Sequence, residues 1–231
     1  MITLYHVNAP GAYRSVWLLE ELQLAYDISP STLDSSTHPL ASACIITLKD
    51  DSHIIVGTVA IAEYLLNKYD RKGLRPPISS IGYIEHQQWI YQTEGLLVPL
   101  LQKLLAGEKL ANTRVPFFAR SILKKVINTA VIQTAESTLQ EQCTAIESTL
   151  SQHGWICDSY FSLADIQLSY VLETLLNRGL VNKDSHPNIY YFIEAIQARP
   201  AYKTAQDKIS ILPVPPIAEE TIEINDEQPS A

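Results

Sequence analysis

Apolar and polar positions alternate over Ile2–Val7, and apolar residues then recur with helical spacing over Arg14–Leu24, through Val16, Leu19, Leu22 and Leu24. Between them Asn8-Ala9-Pro10-Gly11 is a loop signal. A second strand is expected near Tyr26–Ser31, followed by a polar loop through His38-Pro39. Two more apolar runs, Cys44–Leu48 and Ile54–Val56, flank the turn signal Asp50-Asp51-Ser52 and predict a β-hairpin. A helix carrying Val59, Ile61, Leu65 and Leu66 follows it directly. At that junction Thr58 is expected to cap the first N–H groups, at a helix start of the kind that attracts anions. The order β-α-β-loop-β-β-α predicts a mixed sheet carrying helices.

The pattern changes after Asp70. Arg71-Lys72-Gly73-Leu74-Arg75-Pro76-Pro77 reads as a linker, and helical periodicity then covers Ile81–Ala106, Pro116–Gln152, Ser162–Asn177, Ile189–Gln197 and Ala201–Lys208. The expected organisation is an α/β domain over 1–70, a linker over 71–80, an all-α bundle over 81–210 and an acidic, disordered tail over 211–231. The sharpest local signal is Ser162-Leu163-Ala164-Asp165 at the start of an apolar helix. It predicts a capping box flanked by a Phe161/Ile166 hydrophobic staple, a structural feature rather than a chemical one.

Composition narrows the partners. The 231 residues are 46% hydrophobic and 18% charged, with a net charge of −8 and a pI near 5.2, so neither nucleic acid nor an anionic membrane surface is an expected partner. A neutral or cationic small molecule fits better. Cys44, Cys143 and Cys157 form no C-x-x-C pair, and no apolar run approaches the ~20 residues of a membrane span, so a reduced, cytoplasmic protein is expected. The six histidines lack H-x-x-x-H spacing, which predicts no metal site.

Several stretches resemble the glutathione S-transferase superfamily over about residues 1–210. Tyr13–Leu22 is similar to the family's first helix, and Ala60-Ile61-Ala62-Glu63-Tyr64-Leu65 to the helix after the hairpin. His38-Pro39-Leu40, Arg199-Pro200-Ala201-Tyr202 and the fungal-type run Tyr91-Gln92-Thr93-Glu94-Gly95 also resemble family segments. The resemblance implies a thioredoxin-like N-terminal domain, an all-α C-terminal bundle and a homodimer. It also implies three departures. The Ser-Arg pair that serves the glutathione thiol falls at Pro10-Gly11, the cis-proline before the third strand falls at Cys44, and the Glu-Ser pair that holds the γ-glutamyl group falls at Gly57-Thr58. The degenerate glutathione positions are therefore Cys44, Ile45, Gly57 and Thr58. Losing several charge-assisted contacts weakens binding by orders of magnitude.

Polar residues remain near the expected cleft. His6 and Tyr13 are candidates for acid–base work and Asn8 for holding an oxyanion. The plainer alternative is that Tyr5 and Tyr13 pack, His6 is a satisfied strand residue and Arg14 pairs with an acid. Cys44 is placed as a packing residue rather than a nucleophile. Tyr91, Gln92 and Phe117 are the candidates for lining a substrate pocket. The leading expectation is a small-molecule enzyme of specialised metabolism that needs no cofactor and cyclises, isomerises or eliminates an apolar intermediate. The alternatives are a glutathione-dependent transferase or isomerase and a non-catalytic binding module.

Overall fold

The computed structural model describes residues 1–5, 10–29, 33, 36–41, 45–113 and 117–210, with the side chains of 117–120 and 122 outside the description. Strands β1 (Ile2–Tyr5), β2 (Tyr26–Ile28), β3 (Thr47–Asp50) and β4 (His53–Val56) form one mixed sheet in the order β2-β1-β3-β4. β1 runs parallel to β2 and antiparallel to β3, and β3 and β4 form the hairpin. Helix α1 (Tyr13–Glu21) crosses between the parallel strands, and α2 (Thr58–Tyr69) follows the hairpin. The central strands β1 and β3 bury their apolar positions, with Leu4 and Leu48 inaccessible to solvent.

The hairpin sits later in the chain than its apolar run indicates. β3 begins at Thr47 rather than Cys44 and extends through Asp50, leaving Asp51-Ser52 as the connection, with Asp51 at φ 52°. Asp50 reads as a turn residue in the sequence, yet its carboxylate is buried and accepts from Tyr64 (2.8 Å), Lys68 (2.7 Å) and Tyr69 (2.6 Å) of α2. Burial alone would raise its pKa. The three donors outweigh that and hold it down to about 2.

Seven further α-helices follow among the described residues: α3 (Ile81–Gln92), α4 (Val98–Ala111), α5 (Phe117–Ile127), α6 (Gln133–His153), α7 (Leu163–Asn177), α8 (Pro187–Ala198) and α9 (Pro200–Ser210). The two long helices expected at Ile81–Ala106 and Pro116–Gln152 are each divided by a π-helical turn, at Thr93–Leu97 and Asn128–Ile132. The first division has a local cause. Pro99 has no N–H to give the Gly95 carbonyl, and a widened turn absorbs the defect. The acidic tail expected over 211–231 lies outside the described residues.

The capping box forms at α7. The Asp165 carboxylate accepts from Ser162 N–H (2.8 Å), and its other oxygen accepts from Ile156 N–H (2.9 Å). Complete burial pushes this carboxyl up to about 6, against the hydrogen bonds that pull it down. Helix α7 is the central rod, buried on nearly every side, and it packs against α1, α3 and α8. Trp17 of α1 meets Tyr202 of α9 edge-on, with ring centroids 5.0 Å apart, and tilts over Phe161 at 5.6 Å. Arg199 forks onto Glu21 (2.6 and 2.9 Å), and Lys208 reaches Glu20 (2.6 Å), so α1 is clamped to α9 by rings and charges together.

Candidate functional site

Helix α1 begins on two polar residues that both point into the helical half. Tyr13 Oη donates to Glu173 Oε2 (2.5 Å) and lies 2.8 Å from Ser169 Oγ, whose own proton faces the Ile166 carbonyl (2.8 Å). The second Glu173 oxygen accepts from Tyr202 Oη (2.5 Å) and Gln197 Nε2 (2.9 Å). Ser169 and Glu173 are four residues apart on α7, so they share the face turned to α1. Burial first, then the Glu173 charge and hydrogen bond, raise the Tyr13 pKa well above its ordinary value; burial and Glu173 raise Tyr202 as well. Both phenols are therefore protonated donors at neutral pH, and the Tyr13 proton is committed to Glu173.

Tyr13, Glu173, Gln197 and Tyr202 line a cavity of about 390 Å³ between α1, α7, α8 and α9. Gly11 forms part of its wall. A Cβ there would stand 3.1 Å from both Arg14 Nη2 and the Tyr170 ring, and φ is +73°, so this position takes no larger side chain without rearrangement. Behind the wall, Arg14 is 3% exposed. Its Nε donates to the Gly11 carbonyl (2.9 Å), and its Nη1 to Glu94 (2.6 Å) and to the Gln167 side chain (2.8 Å) and carbonyl (3.0 Å). Glu94 comes from the first π-helical turn, so one guanidinium ties the β1–α1 loop, α1, α7 and that turn together.

The start of α2 differs from its sequence expectation. Gly57, not Thr58, is the N-cap, and it carries no side-chain cap; Thr58 is already the first helical residue. Gly57 N–H donates to the Ile46 carbonyl (2.9 Å) while φ 95° and ψ 146° hold the chain in a conformation that side-chain-bearing residues rarely adopt. Thr58 in a continuous helical turn cannot fold its hydroxyl back in the way an N-cap does. Nothing lies within 4 Å of a Cβ added at Gly57, so Gly57→Ala isolates the backbone term. It is expected to cost about 1–3 kcal/mol, read as a lower urea midpoint with an unchanged slope. Ile45, on the approach to β3, is exposed.

Tyr91 and Gln92 line a different concavity, an open groove of about 890 Å³ between α3, the first π-helical turn and α6. Gln92 Nε2 donates to Gln142 (2.8 Å), and Tyr91 is 68% exposed. No described residue of β1 through α2 contributes to this groove. His6, Asn8 and Cys44 lie outside the described residues, as does the side chain of Phe117 in α5. Buried Cys143 and Cys157 are poor nucleophiles. Burial pushes the Cys143 thiol up to about 12 and raises Cys157 too.

Sequence reading missed Ser169, Glu173, Gln197 and Tyr202. A signal existed in α7, where Gln167, Ser169 and Glu173 interrupt an otherwise apolar helix; Gln167 and Ser169 are fully buried, which is rare for their residue types. Among the described residues no group of acids, cysteines and histidines is arranged to hold a metal, and no helix is long and apolar enough to cross a membrane.

The family model for the glutathione S-transferase C-terminal domain matches residues 110–200. Glutathione S-transferase 1 of Saccharomyces cerevisiae is 22% identical over 226 residues, which cover 92% of this chain and 97% of the relative. A glutathione S-transferase structure from Actinobacillus pleuropneumoniae superposes with a TM-score of 0.69 at 26% identity, covering 91% of this chain and 93% of its own. The glutathione transferase URE2P6 of Phanerochaete chrysosporium, solved with oxidised glutathione, gives 0.72 at 20% identity over 90% and 96% of the two chains. The C-terminal family model, the curated relatives and the structural neighbours together support the glutathione S-transferase superfamily for this chain. Its fold is the glutathione S-transferase fold, a small mixed four-stranded sheet followed by a helical region. Homologues of this kind suggest a transferase-type enzyme. Gly11 and Gly57 both hold positive φ.

Proposed function

We propose that this glutathione S-transferase homologue is a small-molecule enzyme that works without glutathione, cyclising, isomerising or eliminating an apolar biosynthetic intermediate in specialised metabolism. Tyr13 carries the reading. It is the described hydroxyl nearest in sequence to the family's thiol position, and its proton is already given to Glu173 at 2.5 Å rather than free for a thiolate. At the γ-glutamyl end, Gly57 offers no carboxylate to an ammonium group. Such an enzyme would act by holding its substrate in a reactive conformation, with a few fixed polar groups stabilising developing charge. His6, Asn8 and Tyr13 remain the proposed polar groups, and Cys44, Ile45, Gly57 and Thr58 a lapsed glutathione surface.

The reading includes a cytoplasmic homodimer, with the two halves meeting at a linker over 71–80. Exposed Ile81, Ile84 and Tyr91 on α3 support the dimer, since a second copy would remove them from water. Tyr91, Gln92 and Phe117 then belong to the proposed substrate wall or to the subunit contact beside it.

A second reading, a glutathione-dependent transferase, is favoured by the relatives named glutathione S-transferase and by the neighbour solved with oxidised glutathione. An assay of glutathione conjugation to chlorodinitrobenzene separates the two. The first reading expects no rate above the uncatalysed background at saturating glutathione. Enzyme-dependent conjugation that rises and saturates with glutathione overturns it in favour of the second.

A further inference from the structure

We infer that the cavity between α1, α7, α8 and α9 binds an organic ammonium ion, with Glu173 as its counter-charge. Among the described residues lining the cavity, Glu173 is the one formal charge; the rest are tyrosines, amides, a threonine and Gly11. No Lys or Arg lines it, and Glu173 makes no ion pair with a described residue. Its carboxylate is nevertheless fixed. Tyr13 holds one oxygen, and Tyr202 and Gln197 hold the other.

A carboxylate presents about four acceptor sites. Three donors occupy Glu173, which leaves about one site open, on Oε2, with a negative charge that only neutral groups stabilise. An ammonium N–H meets that site with a charge-assisted hydrogen bond, stronger than any bond a neutral ligand offers there. The walls suit the same ion. Tyr13 and Tyr202 meet edge to face at 6.2 Å, and the Tyr170 ring has the Arg14 guanidinium 5.3 Å from its centroid. Tyrosine faces attract cations, and several around one cavity make a cation site. Asn177 and Gln206 add amide oxygens for the remaining ammonium protons. At about 390 Å³ the cavity has the size of a small-ligand site.

The arrangement is poor for an anion, which would face Glu173 with no cation among the described residues lining the cavity, Arg14 being engaged behind the wall with Glu94. It also wastes its charge on a neutral ligand. Glutathione need play no part in this binding, so the site stands or falls separately from the proposed glutathione-independent turnover.

The test is calorimetric titration, without glutathione, of the full chain with the 2-phenylethylammonium ion, 2-phenylethanol and 3-phenylpropanoate, three probes of similar shape and different charge. The ammonium is expected to bind saturably, about tenfold or more tighter than the alcohol, with no detectable binding of the carboxylate. Glu173→Gln is expected to abolish the preference for ammonium over alcohol. Folding of this variant is checked by circular dichroism, and Asn177→Leu, at an exposed position on the cavity wall, supplies a second variant expected to weaken the ammonium several-fold. Equal affinity of the wild type for ammonium and alcohol overturns the inference, whatever the variants do. So does a folded Glu173→Gln protein that keeps the preference, or an absence of ammonium binding.

Discussion

Replacing Arg14 with leucine is expected to destabilise the protein by about 3 kcal/mol and to lower its melting temperature by roughly 6–12 °C. The guanidinium is buried and bonded to four acceptors, namely the Gly11 and Gln167 carbonyls, the Gln167 side chain and the Glu94 carboxylate. Leucine fills much of the space and removes the side-chain donor from all four, of which the Gly11 carbonyl keeps the backbone N–H of residue 14 (3.3 Å). The cost comes chiefly from what is stranded, because removing one partner of a buried pair uncovers the desolvation of the other. Glu94 is 26% exposed and recovers some hydration, which places the expected loss at the low end for broken buried pairs. Glu94→Gln tests the same junction from the other side. Its amide oxygen can still accept from Arg14, so a loss of only about 1 kcal/mol is expected. Thermal unfolding followed by circular dichroism measures both. An Arg14→Leu melting temperature within about two degrees of the wild type contradicts this account of the junction.

The second large effect is expected at Asp165. Asp165→Ala removes the acceptors of two buried N–H groups, Ser162 and Ile156, and ends the capping box of the most buried helix. Each abandoned buried donor costs about 1–3 kcal/mol and the lost cap about 1 more, so a total of roughly 3–5 kcal/mol is expected. Asp165→Asn keeps one acceptor oxygen but turns an NH₂ group towards the other donor, and an intermediate loss is expected. Ser162→Ala removes only the hydroxyl half of the box and is expected to cost about 1 kcal/mol. Damage that decreases in the order Asp165→Ala, Asp165→Asn, Ser162→Ala, measured by urea midpoints at constant slope, distinguishes a polar network from simple helix propensity. Propensity alone makes Asp165→Ala neutral or favourable, because alanine is the better helix former.

The sequence carried much of the architecture because the elements that form the fold are amphipathic. The spacing of Val16 and Leu19 in α1 and the dense apolar run of α7 report burial directly, and the Ser162/Asp165 box is a local pattern with a local outcome. Features decided by contacts across the chain were not legible. Asp50 looks like a turn former, and only the arrival of Tyr64, Lys68 and Tyr69 makes it the end of a strand. Thr58 has the composition of an N-cap, but the positive φ of Gly57 takes the cap position one residue earlier. The partners of Tyr13 lie 156 and 160 residues away, beyond any periodicity. Arg14 is similar. The sequence offers Arg14 an acid as its partner, but no periodicity says that the acid is Glu94 or that Gln167 shares the guanidinium.

The central claim is the proposal that this protein works without glutathione. The most direct test is a calorimetric titration of the purified full chain with reduced glutathione, carried through the millimolar range. With no side chain at Gly57 to meet an ammonium group and the Tyr13 proton held by Glu173, no saturable heat is expected. A saturable isotherm with one glutathione per chain, weakened by Thr58→Val at the start of α2, contradicts the claim and returns the protein to glutathione-dependent chemistry.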